Sequence, residues 1–215
     1  MKPPNTAVRN AAAWQVQSLL LAYPDQRLPD RLTLARRVAA TQPRAVADPL
    51  EAFAEHAGRT APGDLAADYV ATFDHRRRCC PYLTYYAHGD TRKRGVALLR
   101  LKQAYARAGW RLGDDELPDH LAVVLEFAAA EPSAGARLLT EHRAGLELLR
   151  LALRDAGSPW APVLASVSAT LPALRGDDRE AVARLAAQGP PDEQVGLDPY
   201  APPGFLPDPV VGGPR

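Results

Sequence analysis

A chain of 215 residues, 47% hydrophobic and 24% charged, is long enough to bury a full core and polar enough to be a globular protein rather than a fibre or a membrane bundle. Its 26 basic and 25 acidic side chains leave a formal charge of +1, which argues against a dedicated nucleic-acid binder, so any basic surface must be local. The only two cysteines, Cys79 and Cys80, are adjacent, which rules out a structural disulfide framework and points to a reducing, cytoplasmic compartment. Near the N-terminus Gln15, Gln17 and Ser18 interrupt the apolar run that a signal peptide needs, and no stretch has the length of a membrane span.

Val16, Leu19, Leu20 and Tyr23 share one helical face, which predicts a first helix stopped by Pro24. Leu28, Leu32, Ala35 and Ala39 define a second. Asp48, Pro49 and Glu51 read as N-cap, first helical residue and capping box of a third, whose stripe is Leu50, Phe53, Ala54 and Ala57 and whose end is Gly58. After the Pro62-Gly63 break, Ala66, Tyr69, Val70 and Phe73 form a fourth helix leading to the run Arg76-Arg77-Arg78. Pro81 interrupts, so residues 80–89 read as a turn or a short helical piece. Asp90 or Thr91 then caps a helix carrying Leu98, Leu101, Tyr105 and Ala108, ended by Gly109.

Pro118 fits the first turn of a helix buried through Leu121, Val124, Leu125 and Ala128, with Asp119 near the positive end of its dipole. One long helix from Ser133 turns Leu138, His142, Leu146, Leu149 and Leu153 inward and stops at Gly157. Ser158 and Pro159 open another, with Trp160, Val163, Leu164 and Val167, which Pro172 ends or kinks. Asp177 and Glu180 form a last capping box before a short helix around Leu185. No stretch alternates apolar and polar residues between hairpin turns, so the fold class is all-α, a single multi-helix bundle over residues 1–188. Residues 189–215 are rich in proline and glycine and read as a disordered tail.

No nucleotide loop, dinucleotide fingerprint, nucleophile elbow or metalloprotease pair is present, so no catalytic residue and no cofactor are assigned. His75, Cys79, Cys80 and His88 match no standard zinc spacing, and no metal site is assigned. Arg92, Lys93 and Arg94 fall in the first turn of a helix, where the dipole disfavours positive charge. Either an anionic partner faces them, or they pair internally with Asp74, Asp90 or the run Asp114-Asp115-Glu116. Tyr82, Tyr85 and Tyr86 lie beside this charge and either line a groove or pack in the core. Glu116, Asp119 and His120 are either an ordinary helix start or an acidic receptor for a basic peptide, with His120 titrating near neutrality.

Residues 69–74, 82–86, 89–99 and 116–127 together resemble the delta-subunit family of respiratory nitrate reductase, the molybdenum cofactor assembly chaperones, within the all-helical family serving molybdoenzyme maturation. The resemblance implies a cytoplasmic protein that is not an enzyme. It would bind the N-terminal segment of the reductase's catalytic subunit, hold it open for insertion of the molybdenum cofactor and delay membrane docking. It maps the peptide groove onto Tyr82, Tyr85, Tyr86, Glu116, Pro118, Asp119 and His120, with Arg92, Arg94, Asp114 and Asp115 as electrostatic contacts. The competing reading is a nucleotide- or cofactor-phosphate binder using Arg76 to Arg78 and Arg92 to Arg94, since guanidinium groups suit bidentate phosphate contact.

Overall fold

Trp160 is buried, 1% exposed, with the rings of Phe53, Tyr69 and Phe73 packed around it at centroid distances of 5.3 to 5.8 Å. Its indole N–H donates to the Leu20 carbonyl at 3.1 Å, so this buried aromatic also satisfies its one polar group. The helices assemble around that cluster. The computed structural model describes residues 6–113, 116–174 and 176–188.

In chain order these residues form α1 (Thr6–Leu20), α2 (Leu28–Ala39), α3 (Arg44–Arg59), α4 (Pro62–Phe73), a 3-10 turn (Arg77–Cys79), α5 (Leu83–His88), α6 (Arg92–Arg107), α7 (Leu121–Ala130), α8 (Pro132–Glu141), α9 (Arg143–Asp155), α10 (Ala161–Ala169) and α11 (Gly176–Gln188). The all-α reading holds: among the described residues the only β-type pairing is a single bridge between Tyr82 and His120. α1 lies against α7, α2, α8 and α10; α10 is held between α3 and α9; and α5 joins α9 to α6. The apolar stripes of α1, α3, α7, α9 and α10 meet in one core.

Polar side chains tie the core as well as apolar ones. Asn10 donates to the Thr170 carbonyl, the Trp14 indole to the Thr170 hydroxyl and Gln17 to Ser166, each at 2.8 Å, and Ser166 donates onward to the Val46 carbonyl. Glu147, 2% exposed, receives Arg143, Arg150 and the Ser168 hydroxyl. A buried carboxylate held by two guanidinium groups and a hydroxyl has the partners that its desolvation requires.

Several boundaries differ from the sequence reading. α3 begins at Arg44 after Pro43, not at Asp48, so Pro49 sits inside the helix, and the end falls at Arg59 rather than Gly58. Proline inside a helix forfeits one backbone bond, but starting early buries Val46 and Ala47 on the same stripe as Leu50 and Phe53, which offsets the loss. The helix expected from Ser133 to Gly157 is two helices, broken at His142. Its halves pack on different partners, since α8 crosses α7 and α9 crosses α5, and no straight helix reaches both. α7 starts at Leu121, leaving Pro118 and Asp119 outside it. α11 starts at Gly176, so Asp177 lies within it rather than capping it.

Gly145 makes the α5–α9 crossing possible. A Cβ there would come within 2.8 Å of the Leu83 carbonyl oxygen. Residues 189–215 and the Asp114-Asp115 pair lie outside the described residues.

Candidate peptide-binding site

The site is built where the chain entering α5 meets the chain entering α7. The Leu83 N–H donates to the Asp119 carbonyl at 3.0 Å and the Leu121 N–H to the Pro81 carbonyl at 2.9 Å, which sets Tyr82 opposite His120 with their rings edge to face at 5.3 Å. The Tyr105 hydroxyl fixes the turn from below by donating to the Pro118 carbonyl at 2.6 Å.

Asp119 is fully buried. One of its carboxylate oxygens accepts the Thr84 hydroxyl and, at 3.3 Å, the Thr84 N–H, while the Arg94 guanidinium stands 3.5 Å away. It therefore caps α5 from outside the helix, next to an N-terminus whose own cap residue, Tyr82, supplies no side-chain acceptor. The dipole argument made for Asp119 applies, but to α5 instead of α7. Arg94 turns inward as well. It pairs with Asp90 at 3.0 Å and lies 5.5 Å from the centre of the Tyr82 ring, so its charge in the first turn of α6 is compensated internally.

His120 is the N-cap of α7, its Nδ1 accepting the Ala122 N–H at 3.2 Å. That bond requires a neutral ring with the proton on Nε2. Burial pushes the imidazole pKa below its ordinary 6.5, against the opposing pull of Glu116 and Asp119. Tyr82 donates its hydroxyl to Glu116 at 3.4 Å, and burial together with that carboxylate pushes the phenol up to about 12, so it stays a donor.

Tyr85 and Tyr86 are placed in the interior, 8% and 4% exposed. The Tyr86 hydroxyl donates to the Arg78 and Cys80 carbonyls, both at 2.9 Å, which pins the turn before α5. These two rings present no face to a groove. Arg92 is exposed on α6. Asp114 and Asp115 lie outside the described residues.

The open space lies on the other side of His120. A cleft of about 380 Å³ runs between the C-terminal half of α1 and α7, walled by Tyr23 and Tyr69 on one side and by Glu116, His120, Val123 and Glu126 on the other. Tyr23 and Tyr69 meet edge to face at 5.4 Å, and Tyr23 is half exposed. Among the described residues, two carboxylates and no lysine or arginine line it. By its chemistry such a cleft is suited to an apolar side chain against the tyrosines and a cation against Glu116 and Glu126. Sequence reading placed Tyr23, Tyr69 and Glu126 only as helix-face or block residues; the one hint was two aromatic helix ends, beside Pro24 and beside the arginine run.

The arginine clusters proposed for phosphate are partly neutralised. Asp90 bridges them, with Arg94 at 3.0 Å and Arg77 at 3.6 Å, and Asp155 lines the cleft beside Arg76 to Arg78. No group of three or more histidine, cysteine or acidic side chains among the described residues is placed to hold a metal ion. No helix among them is long and apolar enough to cross a membrane.

The arrangement of helices is shared with a crystal structure of an Archaeoglobus fulgidus protein described as a redox enzyme maturation protein. The TM-score is 0.58 at 23% identity, covering 74% of this chain and 91% of that one, so the likeness shows the fold. The family model for the nitrate reductase delta subunit matches residues 40–166, and the chain belongs to that family. It is 38% identical over 128 residues to the Bacillus subtilis protein named as nitrate reductase molybdenum cofactor assembly chaperone NarJ, covering 58% of this chain and 68% of that one. It is 34% identical over 124 residues to NarJ of Escherichia coli K12, covering 56% of this chain and 52% of that one. The nitrate reductase-like protein NarX of Mycobacterium tuberculosis is 40% identical over 158 residues, which are 73% of this chain but only 24% of NarX.

Proposed function

We propose that the chain is an assembly chaperone for a respiratory nitrate reductase, working in the cytoplasm and without catalysis of its own. It binds the N-terminal segment of the catalytic subunit while the molybdenum cofactor is inserted, and releases it before the complex docks at the membrane. Two relatives of this family are named for cofactor assembly of that enzyme, which supports the class of client.

The observation that carries the reading is the acidic, tyrosine-walled cleft between α1 and α7, which the Tyr82–His120 junction borders at His120. Its size suits a few side chains of an extended or helical peptide, not a whole domain, and its charge suits a basic one. Peptide ordering on binding costs entropy, so affinity is modest, as a chaperone that must let go requires. Deleting the gene in its host and measuring molybdenum bound to the purified reductase tests the role. The proposal expects reductase protein that accumulates with little metal, restored by the wild-type chain; fully loaded reductase in the deletion strain would refute it.

A further inference from the structure

A second cleft, of about 610 Å³, lies on a different face, between α6 and α8. Arg100 and Arg107 reach it from α6, Arg137 from α8, His88 from the end of α5, and His142 from the break between α8 and α9. Its floor is made of alanine and leucine side chains of α6 and α8, and one carboxylate, Glu141, lines it. Arg100 and Arg107 form no ion pair among the described residues, and Arg137 donates only to the carbonyl of Ser133 in its own helix. α6 carries six cations and no acidic residue, so nothing on that helix offsets them.

Arg100, Arg107 and Arg137 line one concave floor from two helices with no ion pair among the described residues, unlike an ordinary basic face whose charges pair with nearby carboxylates. The Arg76 to Arg78 run is of that ordinary kind, with Asp90 and Asp155 beside it. The His88 and His142 rings line the same cleft, and an imidazole offers an N–H donor in either protonation state. Guanidinium forks match tetrahedral oxyanions better than single carboxylates, and three of them ask for several anionic groups in a row.

We propose that this cleft is a binding site for an oligophosphate, either as a free anion or as the phosphate chain of a larger molecule, held by Arg100, Arg107 and Arg137 with His88 and His142 as further N–H donors. The site is separate from the peptide cleft, so its failure leaves the chaperone reading standing, and the reverse.

Titration calorimetry of the full chain at low salt with sodium tripolyphosphate and with adenosine triphosphate tests it. The expected result is saturable binding of at least one, weakened by about tenfold or more in the triple variant Arg100→Ala, Arg107→Ala, Arg137→Ala and unchanged in the triple variant Arg76→Ala, Arg77→Ala, Arg78→Ala. Tighter binding of adenosine triphosphate supports the site with a larger molecule as source, and tighter binding of tripolyphosphate supports it with the free anion. Absence of binding by both, an equal loss in the two triple variants, or tighter binding of a poly-glutamate peptide than of either phosphate would overturn it. All six arginines extend from the surface of the fold, and circular dichroism melts confirm that each variant is folded before it is scored.

Discussion

Asp119 and His120 are neighbours in sequence with opposite tasks, one holding α5 and the other starting α7. Removing the carboxylate in Asp119→Ala leaves the Thr84 hydroxyl and N–H without their acceptor and deprives Arg94 of one of two partners, a loss of about 3 kcal/mol. Asp119→Asn keeps an oxygen toward Thr84 and loses about 1 kcal/mol. Urea denaturation measures both, and a neutral effect of the alanine would show that Asp119 caps nothing. His120 and the partly buried His142 have folded pKa values below the ordinary 6.5, so folding favours their neutral rings. The stability they contribute is complete above pH 6.5 and is lost as pH falls from there through the folded values. His120→Asn, which keeps a cap acceptor but cannot take a proton, should flatten that fall; an unchanged slope between pH 7.5 and 5.5 would contradict it. Both residues stood out in the sequence, but not their roles. Nothing in Glu116 to Leu121 says that Asp119 is needed by a helix thirty-odd residues earlier, because that contact exists only once Leu83 and Asp119 pair.

At the scale of elements, one-face spacing with its terminating glycines located most helices, while the predicted capping boxes at Asp48 and Asp177 did not, and crossings set the ends. Gly109 and Gly157 do end α6 and α9 with φ of 73° and 62°, because a left-handed residue past a helix is a local requirement visible in one letter. The break at His142 has no such letter: the stripe from Leu138 to Leu153 runs on in register, and only the separate crossings of α8 and α9 divide it. Gly135 and Gly145 mark those crossings, since an added Cβ would fall 2.2 Å from the Ala128 Cα and 2.8 Å from the Leu83 carbonyl. Gly145→Ala should cost about 1–3 kcal/mol through displacement of α5, and Gly135→Ala more, because it meets backbone within the α7–α8 contact. Thermal melts decide this; a stabilised Gly145→Ala, as helix propensity alone would give, would mean the crossing yields easily.

Across the whole molecule, tyrosine positions were more legible than tyrosine exposure. Tyr82, Tyr85 and Tyr86 form a single aromatic cluster in sequence, yet the six-residue α5 turns two of them inward against α9, whereas the tyrosines that wall the open cleft, Tyr23 and Tyr69, come from the ends of α1 and α4. Distant segments brought together by folding leave no spacing to read. Glu116 and His120, which lie four residues apart and were read as one block, do line that cleft together. Tyr86→Ala should then destabilise the fold by about 3–5 kcal/mol, with binding lost only as the fold is lost.

The cleft between α1 and α7 is the central claim, and calorimetry with a synthetic N-terminal peptide of the reductase's catalytic subunit tests it most directly. Wild type and the chain truncated after Gln188 should bind alike, with affinity falling as salt is added. The double variant Glu116→Gln, Glu126→Gln should bind about tenfold or more weakly while melting as wild type does. Full-strength binding by that double variant would contradict the account.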